Sequence, residues 1–249
     1  MNTSQSLLEV VKTRMRKTLS RIFRAVKPRD QSKNKVDDNE VNEQDLDIYW
    51  DKEFAELLDT WGESHVWKEI QLLLKDVEGP VLDIACGTGV AMRILSDSLG
   101  LDVYGCDISE MLIEKAVARG ISVEKLEVCD ATRMANYGEK QFTASYSIGS
   151  LEHFTVEGID LFLSEAARVT QGESFHQIPM SISGRDEGWI SPHQSYFNNS
   201  QEWWRTKFEK YFSVVQFLPS GWEDDTSIGV WVCCKGTMIK NVERGSATS

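Results

Sequence analysis

Apolar residues near the start of the chain recur at steps of three or four positions over residues 7–27. They fall on one stripe of a helix, and Lys and Arg fill much of the remaining surface. The stripe consists of Leu8, Val11, Met15, Leu19, Ile22 and Val26. The pattern predicts an amphipathic basic helix within residues 1–30. The polar stretch that follows, residues 31–44, is typical of a linker.

From residue 46 the pattern is helical and aromatic-rich up to residue 75, and then strand-like and helical segments alternate. The predicted strands are residues 80–86, 102–107, 123–132, 142–149 and 174–181, and the predicted helices are 90–99, 109–119 and 158–170. Such alternation is typical of an α/β domain with a doubly wound, mostly parallel, Rossmann-like sheet.

Two apolar runs near the end of the chain, residues 212–218 and 229–236, have no helical pattern between them. They predict a C-terminal antiparallel strand pair at the sheet edge. We therefore expect one α/β domain over residues 45–237 and a frayed polar tail over 238–249.

Charge is distributed unevenly along the 249 residues, whose net charge is −12. Residues 1–30 carry eight Lys or Arg and two acidic residues, whereas the rest of the chain carries 19 basic and 37 acidic residues. An acidic body of this kind disfavours nucleic acid as a partner. The basic helix has three open interpretations: packing on the body or a second subunit, peripheral binding to an anionic membrane, or a transit peptide.

The five cysteines lack C-x-x-C spacing, and four fall in or beside predicted core strands. Reduced cysteines in a core behave as small hydrophobic residues, so we predict no zinc site and a reducing, cytoplasmic location. No apolar run approaches the roughly 18 residues of a membrane span. We also find no secretory signal, and membrane association would depend on the basic helix.

Close glycines at positions 87 and 89 follow the first predicted strand, and a helix is predicted to begin at Val90. Glycines let a backbone approach a ligand closely, and helix N-terminal amides can bind it. Carboxylates end three predicted strands at Asp83, Asp107 and Asp130. Ligands of such sheets bind beyond the carboxyl ends of the strands, where Asp107 could accept hydrogen bonds from ribose hydroxyls.

Dinucleotide binding fits this pattern poorly, because the third glycine of G-x-G-x-x-G is missing. Asp83 would also face the phosphates of such a ligand. A cationic ligand would instead be stabilised by that carboxylate.

Four segments in this order and spacing, VLDIACGTG, VYGCDIS, VCDAT and SYSIGSLEHF, resemble the motifs of class I S-adenosylmethionine-dependent methyltransferases. The resemblance covers roughly residues 50–236 and implies a metal-independent transferase that uses S-adenosylmethionine. One departure is the segment before the fifth strand, where many members have Lys-Pro-Gly-Gly and this chain has a single glycine, Gly172.

The resemblance also implies roles for individual residues. Asp83 would lie near the methionine moiety, Asp107 would hold the ribose, and Asp130 would accept from the adenine amino group. Ile108 would lie on the adenine face, and Ser147 and Ile148 would face the methionine end. Ala85, Gly87, Gly89 and Ala131 complete the predicted cofactor-binding set.

Methyl transfer to a hydroxyl or amine requires an aligned nucleophile and removal of its proton. His153 is the natural general base, with an ordinary pKa of about 6.5. Glu152 is an alternative base or an orienting group, and a helix-capping role for His153 is the competing structural interpretation.

The long segment after the fifth strand is predicted to form the acceptor site, through Arg185, Asp186, Trp189, His193 and Gln194. Indole faces with polar partners suit sugar rings. The stretch NSQEWWRTKFEKYF also resembles, weakly and locally, bacterial methyltransferases of surface-glycan pathways.

We therefore expect methyl transfer to an oxygen of a small-molecule or glycan-linked acceptor. A non-catalytic cofactor-binding scaffold and an RNA or protein methyltransferase are the alternatives.

Overall fold

The structure, a computed structural model, describes residues 51–60, 62, 65–191 and 194–237. The predicted basic helix at 7–27, the linker at 31–44, the tail at 238–249 and His193 lie outside the described residues.

The fold is built on a seven-stranded mixed sheet. Its strands are β1 (Pro80–Ile84), β2 (Asp102–Asp107), β3 (Leu126–Val128), β4 (Phe142–Ile148), β5 (Thr170–Ser181), β8 (Phe212–Glu223) and β9 (Ser227–Thr237), and a separate small sheet pairs β6 (Trp189–Ile190) with β7 (Tyr196–Phe197). The large sheet runs in the order β3-β2-β1-β4-β5-β9-β8. The first five strands are parallel, and β9 is antiparallel to both β5 and β8. The predicted doubly wound, Rossmann-like sheet with a C-terminal antiparallel pair is thus confirmed.

Six α-helices connect or flank these strands in the described part of the chain. They are α1 (Lys52–Leu58), α2 (Val66–Leu74), α3 (Val90–Leu99), α4 (Glu110–Ala118), α5 (Val156–Val169) and α6 (Gln201–Phe208). Side-chain caps define several of their starts: Ser109 accepts from the Leu112 amide of α4, and Thr155 accepts from the Gly158 amide of α5. The Thr155 cap explains why α5 begins two residues before the predicted position.

Local hydrogen bonding also explains why β3 is shorter than the predicted strand at 123–132. Residues Val123–Lys125 form a turn of 3-10 helix, and Asp130 turns back to accept from the Thr132 amide and hydroxyl. Asx turns of this kind compete with strand pairing.

Two apolar layers cover the faces of the large sheet. Helices α5 and α6 pack on one face, with Phe162 and Trp204 buried. Helices α2 and α3 pack on the other, with Ile70 and Met92 buried. Each such side chain contributes roughly 1.5–3 kcal/mol on burial, so the two layers fix the sheet whose carboxyl edge carries the site.

Candidate functional site

The loop that joins β1 to α3 has the backbone of a ligand cradle. Gly87 and Gly89 have φ angles of 54° and 73°, in the left-handed region that glycine adopts without strain. A Cβ at Gly89 would collide with Ile121, whereas a Cβ at Gly87 would meet only Leu58 Cδ1 of α1, at 3.5 Å. The missing side chain of Gly89 therefore allows the end of α4 to pack closely against the loop. The missing side chain of Gly87 leaves space between the loop backbone and α1.

Ala85 shares this unusual conformation, with a φ of 60°. A left-handed residue with a Cβ costs roughly 1–2 kcal/mol. The loop therefore stores strain at a position that the sequence assigned to the cofactor-binding set.

Asp83 is the second-last residue of β1, near the carboxyl edge of the sheet, and is buried. Tyr146 of β4 donates its hydroxyl to Asp83 Oδ2 over 2.8 Å. Burial raises the pKa of Asp83 well above its ordinary value, while the Tyr146 hydrogen bond opposes that shift. A buried carboxylate with one neutral donor suits a ligand that brings its own positive charge.

Asp107 ends β2 and organises the glycine loop. Its two oxygens accept from the backbone amides of Gly87 and Ser109, both over 2.9 Å. Burial raises the pKa of Asp107, and the hydrogen bonds from these two amides lower it in part. A side chain 20 residues from Gly87 thus holds the loop against the tip of β2.

The other predicted cofactor residues follow the same edge of the sheet. Asp130 is exposed beyond β3, Ala131 beside it is buried, and Ile108 is half-buried after β2. Ser147 and Ile148 end β4. Because the strand order is β3-β2-β1-β4, the side chains predicted for adenine, ribose and methionine lie along one edge in that order.

Three residues that the sequence analysis missed clamp the loop. Thr88 donates its hydroxyl to Asp59 Oδ1 over 2.6 Å, and Arg119 forms an ion pair with the same oxygen over 2.7 Å. Arg119 also donates to the Thr88 carbonyl over 3.0 Å. Thr88 lies within the VLDIACGTG motif, but Asp59 and Arg119 are 29 and 31 residues away from it and belong to none of the quoted motifs, so the sequence offered no signal that the three meet.

Glu152 and His153 lie together in a 3-10 turn, Leu151–His153, that follows β4. His153 Nε2 is 3.8 Å from Glu152 Oε1. Glu152 is only 5% exposed, and its Oε2 has no hydrogen-bond partner among the described residues. Burial raises the pKa of Glu152 to about 8.

His153 is held by the segment between β5 and α6. Its Nδ1 lies 2.8 Å from the carbonyl oxygen of Ser195, which can only accept, so Nδ1 carries the proton and Nε2 is the acceptor. Burial lowers the pKa of His153 to about 4, although the Ser195 carbonyl opposes this shift. The imidazole is therefore neutral at physiological pH.

A second histidine that sequence reasoning did not support, His176 of β5, is completely buried beside this edge. Its ring nitrogens lie 2.8 Å from the Ser147 hydroxyl and 2.9 Å from the Ser174 hydroxyl. Burial lowers the pKa of His176 to about 3, so its neutral ring joins β4 to β5 and fixes Ser147.

The described residues among those predicted for the acceptor differ in burial and in contacts. Arg185 and Asp186 are exposed, and Asp186 accepts from the Ser200 amide at the start of α6. Trp189 is half-buried and packs edge-on against Phe197, with ring centroids 4.8 Å apart. Gln194 is half-buried next to Ser195.

Neither a metal centre nor a membrane span is found in the described ranges. No group of three or more His, Cys, Asp or Glu side chains there could hold a metal ion. No helix among those residues has the length and hydropathy that crossing a bilayer requires.

The comparisons agree with this geometry. Residues 81–172 match the family model of a methyltransferase domain. No curated protein matches the chain. The match covers β1 through the start of β5, which is the half of the sheet that carries the three strand-end carboxylates.

Solved structures with similar folds have low sequence identity to this chain. The 1,6-didemethyltoxoflavin-N1-methyltransferase of Burkholderia thailandensis, crystallised with 1,6-didemethyltoxoflavin and S-adenosylhomocysteine, is 15% identical with a TM-score of 0.62, over 81% of this chain and 93% of that one. The PH0226 protein of Pyrococcus horikoshii OT3 is 21% identical with a TM-score of 0.56, over 75% of this chain and all of that one. The glycopeptide N-methyltransferase MtfA is 16% identical with a TM-score of 0.55, over 67% of this chain and 87% of that one.

The predicted methyltransferase domain is confirmed by the family match over residues 81–172. The similar Burkholderia thailandensis structure contains S-adenosylhomocysteine, which is the product of the predicted cofactor, S-adenosylmethionine. The residues present fit that cofactor. It carries an ammonium and a sulfonium and no phosphate, as the buried Asp83 carboxylate requires.

Proposed function

We propose that this methyltransferase acts on a hydroxyl of a small-molecule or glycan-linked acceptor, and that Glu152 removes the hydroxyl proton. One observation carries the proposal: a buried carboxyl group with an unpaired oxygen follows β4, the strand whose end is predicted to face the methionine moiety. A buried polar atom without a hydrogen-bond partner costs roughly 1–3 kcal/mol of stability, so its presence in a natural protein favours a functional role for that atom.

The edge residues would hold the cofactor. Asp83 would face the methionine ammonium, Asp107 the ribose hydroxyls and Asp130 the adenine amino group, with Ile108 on the adenine face. When bound, S-adenosylmethionine supplies a methyl group activated by a positively charged sulfur. The clamp of Asp59, Thr88 and Arg119 would keep the glycine loop in place for that cofactor.

A base is needed for a hydroxyl acceptor, because an unassisted hydroxyl is a weak nucleophile at neutral pH. A base works best when its pKa is near the working pH. Glu152, with a pKa raised to about 8, meets this condition better than His153, with a pKa lowered to about 4. The Glu152 carboxylate would take the hydroxyl proton while the acceptor oxygen gains the methyl group and the methyl–sulfur bond of the donor breaks, which leaves a neutral thioether.

His153 would position this base. Its Nδ1 is fixed by the Ser195 carbonyl, so its Nε2 stays an acceptor 3.8 Å from Glu152 Oε1. That separation is too long for a direct hydrogen bond, but an acceptor hydroxyl or a water molecule could lie between the two groups.

The acceptor class is inferred from the composition of the segment between β5 and α6, which contacts His153 through the Ser195 carbonyl. Trp189 offers a half-buried indole, and Asp186, Arg185 and Gln194 provide polar groups in the same segment. Sugar rings combine apolar C–H faces with hydroxyl edges, which suits such a set. The acidic body continues to disfavour RNA.

The test is a transfer assay with S-adenosylmethionine labelled with ¹³C in its methyl group and an extract of the source cells. We expect labelled small molecules or glycans with a methyl carbon shift typical of a methyl ether, whereas a shift typical of a methyl ester would replace the hydroxyl by a carboxylate acceptor. A methyl shift typical of an amine would overturn the oxygen assignment. Binding of S-adenosylhomocysteine without any labelled product would favour the non-catalytic scaffold. Label in protein or RNA would show that the acceptor is a macromolecule of that class and not a small molecule or glycan.

A further inference from the structure

One buried side chain near the carboxyl edge of the sheet has neither a partner nor a role in the reaction described so far. Gln177 of β5 is 1% exposed, and neither Oε1 nor Nε2 of its amide forms a hydrogen bond within the described part of the chain. A side-chain amide has two N–H donors and one acceptor oxygen, and burying them unpaired is unfavourable. Natural proteins keep few such groups, so a complementary ligand is the expected partner.

Strand register places Gln177 on the same face of the sheet as Asp83. Asp83 of β1 is in register with Tyr146 of β4, which is in register with Phe175 of β5. The hydrogen bond from the Tyr146 hydroxyl to Asp83 shows that these two side chains share a face. Gln177 follows Phe175 by two residues, so its side chain returns to that face. It lies two strands from Asp83, roughly 10 Å across the sheet.

Gln177 also marks the level at which β4 ends. Its partner in register is Ile148, the last residue of β4, whereas β5 continues to Ser181. The Gly149 amide donates to the Gln177 carbonyl oxygen over 3.1 Å, and the 3-10 turn that contains Glu152 begins two residues later. The unpaired amide is therefore carried by the residue that anchors the loop leading to the proposed base.

The neighbours of the amide leave it unpaired. Trp231 of β9 is in register with Gln177, but its indole nitrogen donates to Glu69 Oε2 over 2.8 Å. A Cβ at Gly229 would lie 2.9 Å from Gln177 Nε2, so the glycine at this position makes room for the amide. The protein thus accommodates the amide and uses the adjacent indole donor elsewhere, which favours a ligand as the partner of Gln177.

Two carboxylates restrict the charge of that ligand. Asp83 is buried on the same face of the sheet, and Glu69 is bound to Trp231. An anionic ligand would be repelled here, whereas neutral hydroxyl groups would not. Two neighbouring hydroxyls match the amide, because one can donate to Gln177 Oε1 while the other accepts from Nε2. Sugars and other polyols carry such pairs.

We propose that Gln177 determines acceptor specificity by binding a neutral pair of neighbouring hydroxyl groups beside the hydroxyl that is methylated. The amide takes no proton, so it acts on binding and orientation of the acceptor, whereas Glu152 would act on the chemical step. This inference rests on the proposed function, because it assigns a recognition residue to the acceptor of that reaction.

The first test uses two probes and does not require the natural acceptor. cis-1,2-Cyclohexanediol carries two neighbouring hydroxyls, and cyclohexanol carries one. Titration calorimetry with the full chain saturated with S-adenosylhomocysteine should give a dissociation constant of about 1 mM for the diol, as expected of a fragment, and roughly tenfold weaker binding of cyclohexanol. Gln177→Leu should bind both probes equally weakly, because it lacks the amide. Absence of diol binding to wild type, or equal wild-type affinities for the two probes, would overturn the inference.

A matched pair of variants tests whether the amide is unpaired in the free protein. Gln177→Leu removes both hydrogen-bonding atoms at similar size, and Gln171→Leu makes the same change at an exposed residue near the start of the same strand. Neither variant should have a lower melting temperature than wild type, because an unpaired buried amide is replaced by an apolar group in the first and an exposed one in the second. A lower melting temperature in Gln177→Leu alone would show that the amide has a partner within the protein, and would overturn the inference.

A kinetic test connects Gln177 with the acceptor found in the labelled-methyl assay. Gln177→Leu should raise KM for that acceptor roughly tenfold or more and leave S-adenosylhomocysteine affinity unchanged, whereas Gln171→Leu should alter neither. An acceptor analogue in which hydrogen replaces the neighbouring hydroxyl should bind wild type more weakly and Gln177→Leu no more weakly than the acceptor itself.

The outcomes separate this inference from the proposed function. An unchanged KM in Gln177→Leu would remove the role of Gln177 and leave the proposed function intact. A labelled methyl group on nitrogen, or a rate that Glu152→Gln does not lower, would instead remove the proposed function, while the KM of Gln177→Leu would still decide whether Gln177 binds the acceptor.

Discussion

Replacing Glu152 by Gln tests the proposed base most directly. The substitution keeps the size and hydrogen-bonding shape of the side chain and removes its ability to take a proton. A positioned base is worth roughly 10²–10⁴-fold in rate, so kcat should fall by that factor near neutral pH.

The pKa of Glu152 sets the shape of the wild-type profile. With a pKa of about 8, roughly 1% of the side chain is ionised at pH 6 and roughly 90% at pH 9. The reactive form is the carboxylate, so kcat should rise with pH, by about 90-fold in total over this range, and level off above pH 8. If His153 were the base, its pKa of about 4 would make the profile flat across the same range.

The assay is the initial rate of product formation at saturating cofactor and acceptor, measured for wild type, Glu152→Gln and His153→Gln. The first variant should be slow and independent of pH. The second should keep the rise toward pH 8, because the carboxyl group remains. A flat wild-type profile, or a rising limb that persists in Glu152→Gln, would refute the role of Glu152 as base. S-adenosylhomocysteine affinity within a few-fold of wild type in both variants is the control for folding.

Four further outcomes are expected. Glu152 has an ordinary pKa of 4.5 and a folded pKa of about 8. Between these pH values the folded chain keeps a proton that the unfolded chain has lost, so the free energy of unfolding falls by roughly 1.4 kcal/mol for each unit by which the pH rises. Urea unfolding of Glu152→Gln should lack that slope, and equal slopes would contradict the burial argument. Asp107→Ala should weaken S-adenosylhomocysteine binding at least tenfold in calorimetry, because charge-assisted hydrogen bonds contribute roughly 1.5–3 kcal/mol each, whereas Asp102→Ala on the exposed start of β2 should not. Ala85→Gly should raise the free energy of unfolding by about 1 kcal/mol, since relief of the left-handed strain exceeds the added chain entropy of glycine; a loss of stability would show that the strain is absent. Deletion of residues 1–44 should leave cofactor affinity unchanged; it should abolish flotation with anionic liposomes if the basic helix binds membranes, or self-association if it packs.

Much of the fold could be predicted from the sequence because the signals are local. Helices α3 and α4 and strand β2 follow from apolar spacing, the Ser109 cap and the glycines that flank them. The carboxylates at the ends of β1 and β2 stand at positions that parallel strands bring to one edge, so the cofactor edge could be placed before its geometry was known.

The chemistry of the candidate site depended on packing instead. The sequence identified Glu152 and His153 but assigned His153 an ordinary pKa. Burial of the 3-10 turn separates their pKa values to about 8 and about 4, and the hydrogen bond from His153 to Ser195 only partly opposes the shift at His153. Desolvation comes from residues far away in the chain, which no local pattern records.

Spacing and composition by themselves determined the α/β class and the carboxylates along one edge of the sheet. The resemblance added the cofactor expected there, and Glu152 and His153 remain a predicted catalytic pair. The tertiary structure alone decided the clamp of Asp59, Thr88 and Arg119, since its partners are brought together from separate elements. Periodicity reports which face of an element is buried, because that depends on neighbours three or four positions away. It does not report which polar group lies opposite another, because that depends on the order and register of strands in the folded sheet.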